Sequence, residues 1–152
     1  MSLSDWLKNG WLVEHKTSPA EIAELLALAV RDLADCRVQG LSPDWRLNIA
    51  YNAALQAATA ALAACGYRAR EAHHYRVIQS LALTIGADPS LVRKFDLFRK
   101  KRNIGGYERA GMVSDQEATE MIALAEGIRR DVKNWLKSHH PQLVRQDAAG
   151  DS

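Results

Sequence analysis

Three serines in this chain each open a stretch that reads as the first turn of a helix, and together they confine the fold to a helical bundle. Ser18-Pro19-Ala20-Glu21 offers an N-cap hydroxyl, a proline at the first helical position and a capping-box glutamate. Behind it Ile22, Leu25, Leu26, Ala29 and Leu33 recur at helical spacing and make one apolar stripe. Gly40 breaks that pattern, and Ser42-Pro43 opens a second helix in the same way, expected to run to Gly66. A third helix is expected from about Arg70 to Ile85, closed by Gly86. Asp88-Pro89 starts a fourth, carrying Leu91, Val92, Phe95, Leu97 and Phe98 and ended by Gly105-Gly106. Ser114-Asp115-Gln116-Glu117 is a further capping box, followed by the amphipathic series Ala118, Met121, Ile122, Ala125, Ile128, Val132 and Trp135.

The second helix sets the packing. Ala50, Ala54, Ala57, Ala58, Ala61 and Ala64 let neighbouring helices approach closely, while Leu47, Tyr51, Leu55 and Leu62 fill volume. A helix with small and apolar residues on most faces belongs at the centre of a bundle. The first 17 residues, with Trp6, Leu7, Trp11 and Leu12, are expected to form a short helix packed on that bundle. No stretch alternates apolar and polar residues, so no strand is expected. The fold class is therefore all-α, an antiparallel helical bundle of about five helices, with one domain over 1–141 and a disordered tail over 142–152.

Composition narrows the setting. With 152 residues, 47% hydrophobic and 25% charged, the chain can bury the core of one domain. Cys36 and Cys65 are too few for a disulfide framework or a four-ligand metal site, which suits a reducing, cytoplasmic location. The N-terminus has no apolar run behind a basic start, and the Ala53–Cys65 stretch is too short and too weakly apolar to span a bilayer, so no membrane partner is expected.

Charge is concentrated rather than large. The segment Arg93 to Arg109 holds Arg93, Lys94, Arg99, Lys100, Lys101, Arg102 and Arg109 against only Asp96 and Glu108. Such a cluster suits phosphate, in RNA or in a nucleotide. On charge alone it equally suits a solvated helix face.

The order of capped helices, the segment Arg46-Leu-Asn-Ile-Ala-Tyr-Asn-Ala-Ala-Leu and the pair Arg102-Asn103 together resemble a HEPN domain, a helical bundle of prokaryotic toxin–antitoxin, defence and RNA-processing systems. The resemblance runs from about Ser18 to Leu136 and is sharpest at 46–68 and 99–107. Ribonucleases of that family carry arginine, often asparagine, and then histidine after a gap of four to six residues. Arg102 and Asn103 fall on the first two positions, and the histidine position falls on Tyr107, a departure from the pattern.

The resemblance implies a homodimer with the basic motif at a shared cleft, and Arg99, Lys100, Arg102, Asn103 and Tyr107 binding RNA or a nucleotide. Arginine suits phosphate through its planar, permanently charged fork. Tyrosine is a poor base near neutral pH, its ordinary pKa being about 10, but it donates hydrogen bonds and stacks on bases.

Three functions remain open. The first is an RNA- or nucleotide-binding module without catalysis. The second is a metal-independent endoribonuclease in which Arg102 acts with His73 or His74, either of which could replace the missing histidine if the bundle sets it beside Arg102. The third is an interaction bundle whose partner is a nucleotidyltransferase-like antitoxin. No cofactor is expected, and no metal: neighbouring helical histidines point apart, and Gly105-Gly106 is no phosphate loop. His139 and His140 are explained by the dipole at a helix end, and the cysteines as inert thiols.

Overall fold

The serine caps act as their sequence context demands. A computed structural model describes residues 1–104 and 113–144, with only the backbone for Ala72, Asn103 and Ile104. Six α-helices are present among them: α1 Leu3–Lys8, α2 Pro19–Asp35, α3 Pro43–Ala64, α4 His74–Thr84, α5 Pro89–Ile104 and α6 Asp115–His139. The chain is an all-α bundle with one small two-stranded ribbon.

Ser42 Oγ accepts from the Trp45 N–H at 3.2 Å. At α6 the capping box closes both ways, Ser114 Oγ accepting from Glu117 N–H and Glu117 Oε1 from Ser114 N–H, each at 3.0 Å. At α2 only half of it forms. Ser18 Oγ accepts from Glu21 N–H at 3.1 Å, but the Glu21 carboxylate turns to Thr17 Oγ1 at 2.6 Å and His15 Nε2 at 2.8 Å. Those side chains, which precede the cap, win the glutamate from the box.

Helix α3 is central, packing against α2, α4, α5 and α6. Ala50, Ala53, Ala54, Ala57, Ala58, Ala60 and Ala61 are all fully buried along it. Leu47, Ile78, Leu81, Phe95, Met121, Ile128 and Val132 fill the spaces around this alanine column.

Two expectations need correction. A strand pair is present: β1 Leu12–Glu14 and β2 Tyr67–Ala69 run antiparallel in the register Leu12↔Ala69, Val13↔Arg68, Glu14↔Tyr67. Three-residue strands are too short to show alternation, and this pairing joins distant parts of the chain. The third helix also does not begin near Arg70. Residues 70–72 make a 3-10 turn in which Glu71 adopts φ +57°, a left-handed conformation that a helix interior does not admit, so α4 starts at His74.

The ribbon thus sets where α4 begins. Gly66, at φ +93°, turns the chain out of α3 into β2. His15 N–H donates to Gly66 O at 2.8 Å and Arg70 N–H to Trp11 O at 3.0 Å, extending the pairing at both ends. Beneath it Trp6, Leu12 and Leu62 form a second apolar cluster with Leu3, Leu7, Trp11, Tyr67 and Leu83. Of the segment expected to be a disordered tail, 142–144 are described: they complete a 3-10 turn begun at Pro141 and end on the buried Val144.

Candidate functional site

Helix α5 sorts its basic residues by direction. Asp96, Arg99 and Arg102 lie three residues apart, on one side of the helix, and so meet as neighbours. Asp96 is buried and accepts from Arg99 Nε at 2.7 Å, while Lys100 Nζ stands 3.6 Å from its other oxygen. Lys101 leaves this group, its Nζ lying 3.1 Å from Glu117 Oε2 on α6. Arg93 and Lys94 are exposed earlier on the helix. The basic run is therefore not one patch. Arg99 and Arg102 turn inward, and the lysines do not.

Arg102 reaches a residue that reads in sequence as core filling. Its guanidinium carbon lies 4.8 Å from the ring centroid of Tyr51 on α3. The Tyr51 side chain is fully buried, its ring set edge-on to Phe95 of α5 with centroids 5.6 Å apart. A cation over a desolvated aromatic face is attracted by the ring's quadrupole, so the buried ring holds the guanidinium in place.

The same tyrosine holds a histidine. Tyr51 Oη and His74 Nδ1 are 3.1 Å apart, and the two ring centroids are 5.9 Å apart. Burial pushes the Tyr51 phenol up to about 12, against the opposing pull of the Arg102 and Arg99 charges, so it stays protonated. Burial also lowers the His74 pKa, and the charges of Arg102 and Arg99 lower it further. His74 is therefore a neutral imidazole at pH 7, able to accept a proton.

His74 and Arg102, read in sequence as separate candidates, thus meet on one buried ring. His73 does not join them. It is exposed, and its Nε2 lies 3.4 Å from Glu71 Oε2. Tyr107 and the Asn103 side chain lie outside the described residues. Tyr51 and Asp96 are the residues that sequence reasoning missed. Tyr51 stands in the segment 46–55 that carries the resemblance, a polar aromatic amid the alanines of α3, and reads there as filling volume.

Elsewhere the candidates are quieter. Burial pushes both cysteine thiols up, away from thiolate reactivity. His139 stacks on Trp135 at the end of α6, with centroids 5.8 Å apart. Among the described residues no group of three or more His, Cys, Asp or Glu is placed to hold a metal ion, and no helix is long and apolar enough to cross a membrane.

Comparison with known proteins adds no relative: no family model, no curated protein and no solved structure matches the chain.

Proposed function

We infer that this chain is a HEPN-like RNA- or nucleotide-binding module of toxin–antitoxin or defence type, acting by binding and not by catalysis. The observation that carries this reading is the anchoring of two guanidiniums, Arg99 on buried Asp96 and Arg102 on buried Tyr51. Arginines held in one orientation bind phosphate with less ordering cost than free side chains, and each can do so with paired hydrogen bonds. Lys100, with 60% of its side chain exposed, adds long-range attraction beside them. Asn103 and Tyr107 are proposed as binding residues on the strength of the family resemblance alone.

The module is proposed to work as a homodimer. Trp45 and Leu97 are 61% and 63% exposed, which leaves large apolar side chains on α3 and α5 for a second copy to cover. Light scattering that returns 16.9 kDa at micromolar concentration removes the dimer.

The binding reading is tested by fluorescence anisotropy with short RNAs and with nucleotides across a salt series. The double variant Arg102→Ala, Lys100→Ala should bind RNA more weakly. Its log–log salt slope should be shallower by roughly 0.7 for each phosphate of a single strand that it no longer neutralises. No binding to either ligand, or an affinity indifferent to salt, favours an interaction bundle with a nucleotidyltransferase-like antitoxin instead.

One observation favours a second reading, the metal-independent endoribonuclease: a neutral His74 shares Tyr51 with Arg102. With Nδ1–H donating to Tyr51 Oη, Nε2 would carry no hydrogen and would take the proton of a ribose 2′-hydroxyl. The 2′-oxygen would bond to phosphorus as the bond to the 5′-oxygen breaks, leaving a cyclic phosphate. The imidazolium would return its proton to the departing oxygen, and Arg102 would stabilise the charge gathered on the phosphate. Cleavage by the wild type that is abolished in His74→Ala and kept in His73→Ala would promote this reading over binding alone.

A further inference from the structure

Next to the two anchored arginines stands an aromatic ring that the core does not use. Tyr75 follows His74 in the first turn of α4 and is 42% exposed, although it neighbours residues that are buried or half-buried. Two guanidiniums flank it, Arg76 with its carbon 5.3 Å from the ring centroid and Arg99 at 5.5 Å. Arg76 spends its own face on Trp11, 3.6 Å from that ring's centroid, with Trp6 at 5.5 Å. Arg99 is tied to Asp96. The flanking cations are therefore fixed by other partners, and the Tyr75 ring keeps surface open to solvent.

A partly exposed aromatic ring flanked by fixed cations has a specific chemical complement. A nucleobase stacks on the ring, and the phosphates on either side of its ribose meet the guanidiniums. A duplex does not fit this arrangement, because its bases already stack on each other and offer no face to a side chain. An apolar peptide does not fit it either, because the ring's neighbours are charged. Arg99 belongs to both places at once, lying 5.5 Å from Tyr75 while its charge acts on Tyr51 and His74. The ring and the phosphate-binding pair are therefore adjacent parts of one track.

We propose that Tyr75 is a base-stacking platform that selects single-stranded RNA, with Arg76 and Arg99 taking the phosphates that flank the stacked base. This rests on the RNA-binding reading above and adds to it the substrate class and the residue that chooses it. The structural origin is the ribbon: by pinning Trp11 beside the start of α4 it fixes Arg76, and so the edge of the platform.

The test uses the full chain and two probes, an oligoadenylate carrying one 2-aminopurine and the same strand annealed to its complement. The wild type should bind the single strand more tightly than the duplex and change the 2-aminopurine emission as the base moves onto the ring. Tyr75→Leu should weaken single-strand affinity about 5- to 150-fold, the span expected for one base–aromatic stack. Its salt slope should stay unchanged, because the phosphate-binding cations are all still present. Tyr75→Phe keeps the ring and should bind as the wild type does.

Arg102→Ala separates the two levels of inference, since it should lower the salt slope whether or not Tyr75 stacks. If Arg102→Ala weakens binding while Tyr75→Leu does not, or if the duplex binds as tightly as the single strand, the platform is wrong and the RNA-binding reading stands. If the wild type binds neither probe, the RNA-binding reading itself fails and takes the platform with it.

Discussion

The bond between Tyr51 and His74 can be isolated by a double-mutant cycle over Tyr51→Phe and His74→Ala. Phenylalanine keeps the ring, and with it the edge contact to Phe95 and the face beneath Arg102, and deletes only the hydroxyl that lies 3.1 Å from Nδ1. A neutral hydrogen bond of this kind contributes roughly 0.5–1.5 kcal/mol net to stability. The hydroxyl belongs to a fully buried residue and the imidazole to a half-buried one, so water replaces the missing partner poorly and the upper half of that range is expected. In a chain of this length about 1 kcal/mol moves the thermal midpoint by roughly 2–4 °C. Urea unfolding of the four proteins in the cycle should return a coupling energy near 1 kcal/mol. RNA affinity should barely change in Tyr51→Phe, because the guanidinium keeps its aromatic support. A coupling energy indistinguishable from zero, or a Tyr51→Phe variant as stable as the wild type, would show that the hydroxyl does not hold the histidine.

The pH dependence of stability follows from the same histidine. Burial depresses the folded-state pKa of His74 and of His140 below the ordinary 6.5, so as the pH falls below that value the unfolded chain binds protons that the folded chain refuses. Stability should therefore be intact above about 6.5 and fall through the window beneath it. The fall should be smaller in His74→Gln, and an unchanged pH dependence in that variant would refute the assignment. Packing around α3 gives the third expectation. Ala58→Leu, at a fully buried position, should cost roughly 1–3 kcal/mol by overpacking. Asn52→Leu, exposed on the same helix, should stay within about 0.5 kcal/mol, and equal effects in urea unfolding would contradict the close approach of the helices.

The fold was legible where a local rule acts alone. Ser18, Ser42 and Ser114 each cap the helix that follows them, because an N-cap is decided within four residues. The alanines of α3 announced its central place for a similar reason: seven small residues along one helix leave little else for that helix to do. What stayed hidden depends on residues far apart in the chain. The β1–β2 pairing needs Leu12 to find Ala69, and the late start of α4 needs Glu71 to take a left-handed conformation that no propensity favours. The site divides in the same way. The concentration of charge on α5 is visible in one line of sequence, but that Arg99 and Arg102 turn inward while Lys101 crosses to α6 is settled by Asp96, Tyr51 and Glu117. Tyr51 could not be told from an ordinary core tyrosine until Arg102 and His74 were seen to share its ring.

The ribbon also bears on the order in which the molecule assembles. Most contacts in a helical bundle join residues near each other in sequence, whereas Leu12 and Ala69 must close a loop containing all of α2 and α3. Closing so long a loop is entropically cheap only once the intervening helices have compacted, so this pairing belongs late on the folding route. Interactions absent from the transition state govern how fast a protein unfolds more than how fast it folds. Substitutions that weaken this smallest element should then speed unfolding more than they slow folding. Arg76, stacked on Trp11 beside that element, would be among the first residues to leave its place when the structure opens.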